Sequence, residues 1–181
     1  HYNTNASCGT DGTCHTGVVQ CTSCAGAPDP CSSITTLVCA NSVTAALTGP
    51  GLWSPGSCGF STPGTEKIYS FTAAATGVHT LQVTSTSSTG FIDYFYKAAS
   101  GGCNATGWTC IDDIFSPATA TIGTLTAGTT YYILLDPETT SAVSHTFMIN
   151  CPAAFDPCTT IPTLTCATAV AATSSGTGVW S

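Results

Sequence analysis

Charged side chains are scarce in this sequence, and basic ones are almost missing. Only 6% of the 181 residues are charged, whereas soluble domains typically carry about a quarter. Lys67 and Lys97 are the only lysine or arginine residues, and the net charge is −7. Nucleic-acid binding needs a basic surface that displaces counterions, and attachment to anionic lipid needs clustered basic residues. Both classes of function are therefore excluded.

Long apolar runs and helical patterns are missing as well. No run approaches the ~18–20 residues that a membrane span needs, so we expect no direct membrane insertion. No segment combines helical periodicity with capping residues, so we expect almost no helix. The first residues do not resemble a signal peptide, and we expect a secreted chain to have lost that peptide before His1.

Cysteine, by contrast, is abundant, and oxidising surroundings would convert it to cross-links. Cys21 and Cys24 have a CxxC spacing, but no second CxxC follows at zinc-ribbon distance. We therefore predict an extracellular or cell-surface protein in which all twelve cysteines form disulfides: Cys8, Cys14, Cys21, Cys24, Cys31, Cys39, Cys58, Cys103, Cys110, Cys151, Cys158 and Cys166.

A second feature is an internal repeat. The stretch that begins Asp29-Pro30-Cys31 recurs 127 residues later as Asp156-Pro157-Cys158. The register holds without a gap to Gly51-Leu52-Trp53-Ser54 and its copy Gly178-Val179-Trp180-Ser181, and about half of the paired positions are identical. The repeat predicts a domain of about 127 residues followed by the start of a second copy.

The repeat and the composition divide the chain into three parts. Residues 1–28 are short of large apolar groups and dense in cysteine, which indicates a disulfide-held cap or linker. Residues 29–151 form the predicted repeat domain. Residues 152–181 are a short linker with two prolines and the truncated start of a second repeat.

The spacing of the cysteines suggests pairings without deciding them. We expect a local Cys103–Cys110 bridge that closes the excursion at residues 104–109. For Cys31, Cys39, Cys58 and Cys151, three connectivities are open. We favour the one that leaves the second copy self-sufficient, with the pairs Cys31–Cys39, Cys58–Cys151 and Cys158–Cys166. The alternative Cys39–Cys58 would require a partner for Cys166 beyond Ser181.

Residues 30–151 read as a series of β-strands. Short runs of β-branched and aromatic residues alternate with turn signals, which is typical of an antiparallel sandwich. The predicted strands are 43–47, 67–72, 78–84, 91–97, 119–125, 130–136 and 143–150. Residues 91–97 are bulky on both faces, which predicts a central strand. The fold class is therefore all-β, an antiparallel, jelly-roll-like β-sandwich.

The stretch from about 30 to 151 resembles a bacterial pre-peptidase C-terminal-type β-sandwich. The resemblance rests on Tyr69-Ser70-Phe71-Thr72, on Cys110-Ile111-Asp112-Asp113 and on the run from Leu125 to Tyr132. With Gly59–Lys67 and Asp93–Lys97, it is similar to repeats of large Bacteroidota surface proteins exported by type IX secretion. The resemblance implies a non-catalytic accessory module of a secreted hydrolase, or a module in an adhesin array.

Acidic residues supply the candidate metal ligands. Asp93, Asp112 and Asp113 are predicted at strand ends, where loops can gather oxygen atoms around Ca²⁺. The competing interpretation is that they stabilise turns and keep a lysine-poor surface soluble. No EF-hand loop is present. Calcium is the cofactor that these residues could bind.

A ligand contact and an enzymatic site are weaker hypotheses. Trp108, in the loop bounded by Cys103 and Cys110, is the candidate for an exposed polysaccharide contact. Asp93 with Asp113 could form a glycosidase pair, but nothing in the sequence marks them as one, and no GxSxG motif is present. We predict that the chain is not an enzyme.

The function predicted from these features is structural and adhesive. The chain would be a disulfide-stabilised segment of an extracellular tandem-repeat surface protein, adhesin or filament. Its partners would be neighbouring repeats, or copies of itself when a neighbour completes a partial domain by strand addition. The alternative is a carbohydrate- or substrate-binding accessory module of a secreted hydrolase.

Overall fold

The computed structural model describes residues 27–87 and 90–153. Nine strands form two packed sheets in this part of the chain. They are β1 (Thr35–Leu37), β2 (Val43–Leu47), β3 (Lys67–Thr72), β4 (Gly77–Thr86), β5 (Ile92–Ala98), β6 (Thr109–Ile114), β7 (Ala118–Leu125), β8 (Thr130–Pro137) and β9 (Val143–Asn150). The helical structure described consists of two 3₁₀ turns, Pro30–Ser32 and Ala99–Gly101.

The strand order is that of a jelly roll. One sheet has the order β2-β9-β4-β7 and the other β1-β3-β8-β5-β6. Strands β2 to β9 therefore divide into two four-stranded antiparallel sheets, and the chain changes sheet at every connection except β5 to β6, which is the double Greek key of this fold. β1 is added at the edge of the second sheet, parallel to β3. The predicted fold class is confirmed, and β5 lies inside its sheet between β8 and β6.

The core between the sheets follows from strand alternation. In β9, every second side chain is buried and points inward: Val143, His145, Phe147 and Ile149. They meet inward side chains of the five-stranded sheet, among them Tyr69, which contacts Phe147 edge-to-face at 5.3 Å between ring centroids. This inner core holds the two sheets together.

The five-stranded sheet also has a covered outer face. Ile68, Phe95 and Leu134 point away from the inner core and form a second buried cluster with Trp108. Residues 48–66, here called the covering loop, connect β2 to β3 and bring Trp53 and Cys58 to this cluster. This cover explains why β5 is bulky on both faces.

Three disulfides join the six described cysteines: Cys31–Cys103, Cys39–Cys151 and Cys58–Cys110. The predicted local bridge Cys103–Cys110 is therefore wrong. Residues 104–109 are closed instead by hydrogen bonds. Lys97 Nζ donates to Asn104 O at 3.0 Å, and Trp108 Nε1 donates to the same oxygen at 2.9 Å.

The favoured pairs Cys31–Cys39 and Cys58–Cys151 are wrong too. β1 runs as an extended strand between Cys31 and Cys39 and separates them, whereas a disulfide needs Cα atoms within about 7 Å. Cys58 lies over the outer face of one sheet, while Cys151 follows β9 of the other sheet. The alternative Cys39–Cys58 is also wrong, because Cys39 is bridged to Cys151.

The other predictions on chain organisation concern mostly residues outside the described part of the chain. Cys8, Cys14, Cys21, Cys24, Cys158 and Cys166 belong to the stretches 1–26 and 154–181, so their pairing and the boundaries of the three predicted parts stay predictions. Within residues 27–87 and 90–153, no helix is long and apolar enough to cross a membrane.

Candidate functional site

Four carboxyl side chains cross the outer face of the five-stranded sheet in one row. Asp93 of β5 lies directly opposite Asp136 of β8 on one side and Asp113 of β6 on the other. Glu66 immediately precedes β3, and the register that pairs Lys67 with Leu135 continues to place it opposite Asp136. Since directly opposite residues share a face, the sheet itself brings these acids together.

Asp93 is the centre of this acidic row. Its side chain is fully buried, and neither carboxylate oxygen has a hydrogen-bond donor among the described residues. Burial, followed by the neighbouring charges of Asp113 and Glu138, raises the pKa of Asp93 to about 7. A charge in this position is costly unless a cation or a proton neutralises it.

Two acids of the row and one acid outside it converge at one point. Asp93, Asp113 and Glu138 each place a carboxylate oxygen within 4.8 Å of the others. Glu138 follows β8, and its backbone N–H donates to Phe91 O at 3.1 Å, which fixes it beside the start of β5. One oxygen of Asp113 and one of Glu138 are also buried without a described partner. We call these three residues the carboxylate triad.

The triad corresponds only in part to the predicted calcium ligands. Asp93 and Asp113 are brought together, but Asp112 is exposed, and its Oδ1 accepts the backbone N–H of Asp113 at 3.0 Å. Glu138 was not among the predicted ligands, because its distance from Asp93 in sequence hides their proximity. The available signal was the Asp136-Pro137-Glu138 run at the end of a buried strand.

The other half of the row anchors the covering loop. Asp136 is fully buried, and its Oδ2 accepts a 2.8 Å hydrogen bond from Thr62 Oγ1. Burial raises the pKa of Asp136 to about 8, although the Thr62 hydrogen bond acts in the opposite direction. Glu66 Oε1 accepts the backbone N–H groups of Leu52, at 2.6 Å, and of Trp53.

Neither lysine neutralises the row. The chain has two lysines and no arginine. Lys67 Nζ donates to Ser33 O at 3.0 Å, and Lys97 Nζ is bound to the residue 104–106 loop and lies 4.4 Å from the Trp108 ring centroid. Both cations are therefore engaged away from the carboxylate triad.

The predicted polysaccharide contact has a different environment from the one expected. Trp108 is only 6% exposed, is covered by the Lys97 ammonium, and lies 6.4 Å from Trp53 between ring centroids. The expectation of an exposed ring is wrong, because the residue fills the outer cluster. A glycosidase pair would require both carboxylates to contact the polysaccharide. Asp93 is fully buried and does not meet this requirement.

Comparisons with known proteins give a similarity of fold. No protein-family model matches the sequence, and no curated protein matches it. Among solved structures, the pre-peptidase C-terminal domain of collagenase from Bacillus anthracis is similar over 65% of this chain and 95% of that chain, with 11% sequence identity and a TM-score of 0.45. The fold class of this chain rests on its own strand order and register, and its function is argued from its own residues.

Proposed function

We propose that the chain is a structural segment of an extracellular tandem-repeat surface protein, adhesin or filament, in which disulfides hold each sandwich closed. The observation that carries the proposal is the Cys39–Cys151 bridge, which joins the end of β1 to the end of β9. The first and last strands of the module are thus linked covalently across 112 residues of sequence.

The other two bridges support the same role. Cys31–Cys103 ties the segment before β1 to the turn after β5, and Cys58–Cys110 ties the covering loop to β6. All six described cysteines are consumed in this way. Disulfides of this number form and persist in oxidising surroundings, which favours a position outside the cell.

The repeated motif supports an array. Asp29 Oδ1 accepts the Cys31 N–H at 3.0 Å, Pro30 is buried, and Leu37 enters the inner core. Each of these residues has a structural task, and each recurs in residues 156–181. Neighbouring modules with the same fold would need these residues at the same positions.

The first test is the stability of the oxidised chain. Thermal and urea unfolding of the 181-residue chain would be compared with the Cys39→Ser/Cys151→Ser variant. Loss of a bridge that closes a loop of this length is expected to lower the free energy of unfolding by about 2–5 kcal/mol. Equal stability of the variant would contradict a structural role of the bridge.

The second test is location. An antibody raised against the oxidised chain is expected to label intact source cells or the filaments that they release. Labelling that requires permeabilised cells would overturn the surface position. The reduced and alkylated chain, used as a competitor, controls for antibodies that recognise only the unfolded protein.

A further inference from the structure

We propose that the carboxylate triad Asp93, Asp113 and Glu138 binds a calcium ion at the edge where β5, β6 and β8 meet. The proposal goes beyond the structural role of the module and does not depend on it. It rests on two independent observations, the convergence of three carboxylates and the unpartnered, fully buried side chain at their centre.

Burial is the first argument. Buried polar groups in proteins nearly always have a partner, yet both oxygens of Asp93 have no donor among the described residues. Asp113 and Glu138 each direct a further unpartnered oxygen into the same region. A bound cation would satisfy all of these oxygens at once.

Charge is the second argument. Three carboxylates within one site repel one another unless protons or cations compensate them. Lys67 and Lys97, which are the only lysine or arginine residues of the chain, are hydrogen-bonded elsewhere. Neither lysine therefore compensates the triad, whereas a bound cation would.

The ligand atoms select the class of ion. The triad offers carboxylate oxygens, which suit hard cations, and no sulfur or imidazole ligand belongs to the cluster. Oxygens around one Ca²⁺ lie at about 2.3–2.6 Å from it, so they are at most about 5 Å apart. The triad oxygens lie within 4.8 Å of one another. Three carboxylates can supply three to six ligands, and water can complete a calcium sphere of six to eight.

The geometry also indicates what the ion would do. β6 is an edge strand that pairs with β5 alone, and Glu138 lies beyond the end of β8. An ion held by all three residues would fasten the edge strand and the turn after β8 to the buried β5. Calcium would therefore stabilise the folded module.

The test is calcium titration of the full chain after exhaustive treatment with EDTA. Binding is measured by isothermal titration calorimetry with CaCl₂, and the unfolding temperature is measured with and without the ion. We expect submillimolar to millimolar affinity, as in extracellular calcium modules, and a rise in the unfolding temperature. Absence of binding at about 10 mM, well above that range, would overturn the proposal.

Variants distinguish this site from any other acid in the chain. Asp93→Asn and Glu138→Gln are each expected to lower the number of bound calcium ions by one, or to weaken that ion at least about tenfold. Asp112→Asn, in an exposed residue beside Asp113, is the matched control and is expected to bind as the parent does. Parent-like binding by both triad variants would overturn the proposal.

The unfolding temperatures of the parent and of Asp93→Asn, compared with and without calcium, distinguish a calcium ligand from a carboxylate with only a structural role. In EDTA, Asp93→Asn is expected to unfold at the same temperature as the parent or higher, because it removes an uncompensated buried charge. In calcium it is expected to unfold below the parent. If the variant does not fold, Glu138→Gln, at a half-buried position, serves the same comparison. The same ranking of parent and variant in both solutions would contradict calcium binding at the triad.

Discussion

At the scale of single residues, the inner core contains an ionisable group that must stay neutral. His145 is 1% exposed, and a 3.0 Å hydrogen bond joins its Nδ1 to the Tyr94 hydroxyl. Its Nε2 has no hydrogen-bond partner in the described part of the chain. Burial lowers the pKa of His145 to about 4, well below its usual value near 6.5. A proton on this ring would be a buried charge.

This predicts a loss of stability in weak acid. Below pH 6.5 the unfolded state takes up the proton while the folded state does not, so the free energy of unfolding falls as the pH drops from 6.5 towards 4. Above pH 6.5 the contribution of His145 is fully present. Urea unfolding between pH 4.5 and 7 would measure the effect in the parent and in His145→Gln, whose amide can still pair with Tyr94.

The difference between the two proteins isolates the histidine from carboxylates that titrate in the same range. The parent is expected to lose more stability than His145→Gln between pH 6.5 and 4.5. Parallel pH profiles would show that His145 is already protonated in the fold, or that it does not lie in the core.

At the scale of elements, the covering loop depends on one buried carboxylate. Glu66 is 4% exposed and accepts the backbone N–H groups of Leu52 and Trp53. Gly51 lets the chain pass close to this site, since a Cβ there would lie 1.9 Å from Gly64 O. These contacts hold the covering loop against the outer cluster that contains Trp108.

Removal of this carboxylate is expected to release the loop. Glu66→Ala leaves two backbone N–H groups without their acceptor, and hydrogen bonds to charged groups are worth about 1.5–3 kcal/mol each. Because water can solvate part of the released backbone, we expect less than the sum, about 2–4 kcal/mol of destabilisation in urea unfolding, with a red shift of Trp53 fluorescence. Asp112→Asn, an exposed acid on β6, should change neither measurement. An unshifted spectrum with parent-like stability would show that Glu66 does not hold the loop.

Elements with strong alternation were predictable, whereas long-range pairing was not. β2, β3 and β9 have the predicted bounds because their side chains alternate and turn residues bracket them. β1 was missed because three residues carry too little pattern, and β6 because its two acids do not resemble a strand. The disulfide pairs and the inclusion of Glu138 depend on which strands become neighbours, which local sequence does not encode.

At the scale of the whole molecule, the observed pairing changes the expectation for the second copy. Cys158 and Cys166 correspond to Cys31 and Cys39, which pair with cysteines 72 and 112 residues further along. If the second copy follows the first, Cys158 and Cys166 do not pair with each other, and the counterparts of Cys103 and Cys151 are not among these 181 residues. The local Cys158–Cys166 bridge favoured from the sequence remains the alternative prediction.

A thiol assay on the 181-residue chain can decide between these pairings. We expect Cys158 and Cys166 to react with a maleimide under native, non-reducing conditions, while the six described cysteines stay unreactive. Peptide mapping by mass spectrometry identifies the labelled residues, and labelling after reduction provides the control. A peptide that contains an intact Cys158–Cys166 bridge would contradict the prediction.

The Cys39–Cys151 bridge also determines how such a module would respond to tension. A pull on the two ends of the sandwich would pass from Cys39 through the sulfur atoms to Cys151 and would bypass the strands between them. The oxidised module should therefore be almost inextensible. Reduction of all three bridges would release roughly 380 Å of contour length, at about 3.4 Å per residue over the 112-residue separation. Single-molecule stretching should show that step only in the fully reduced chain, so the redox state of the cysteines would decide whether the module is rigid or extensible under load.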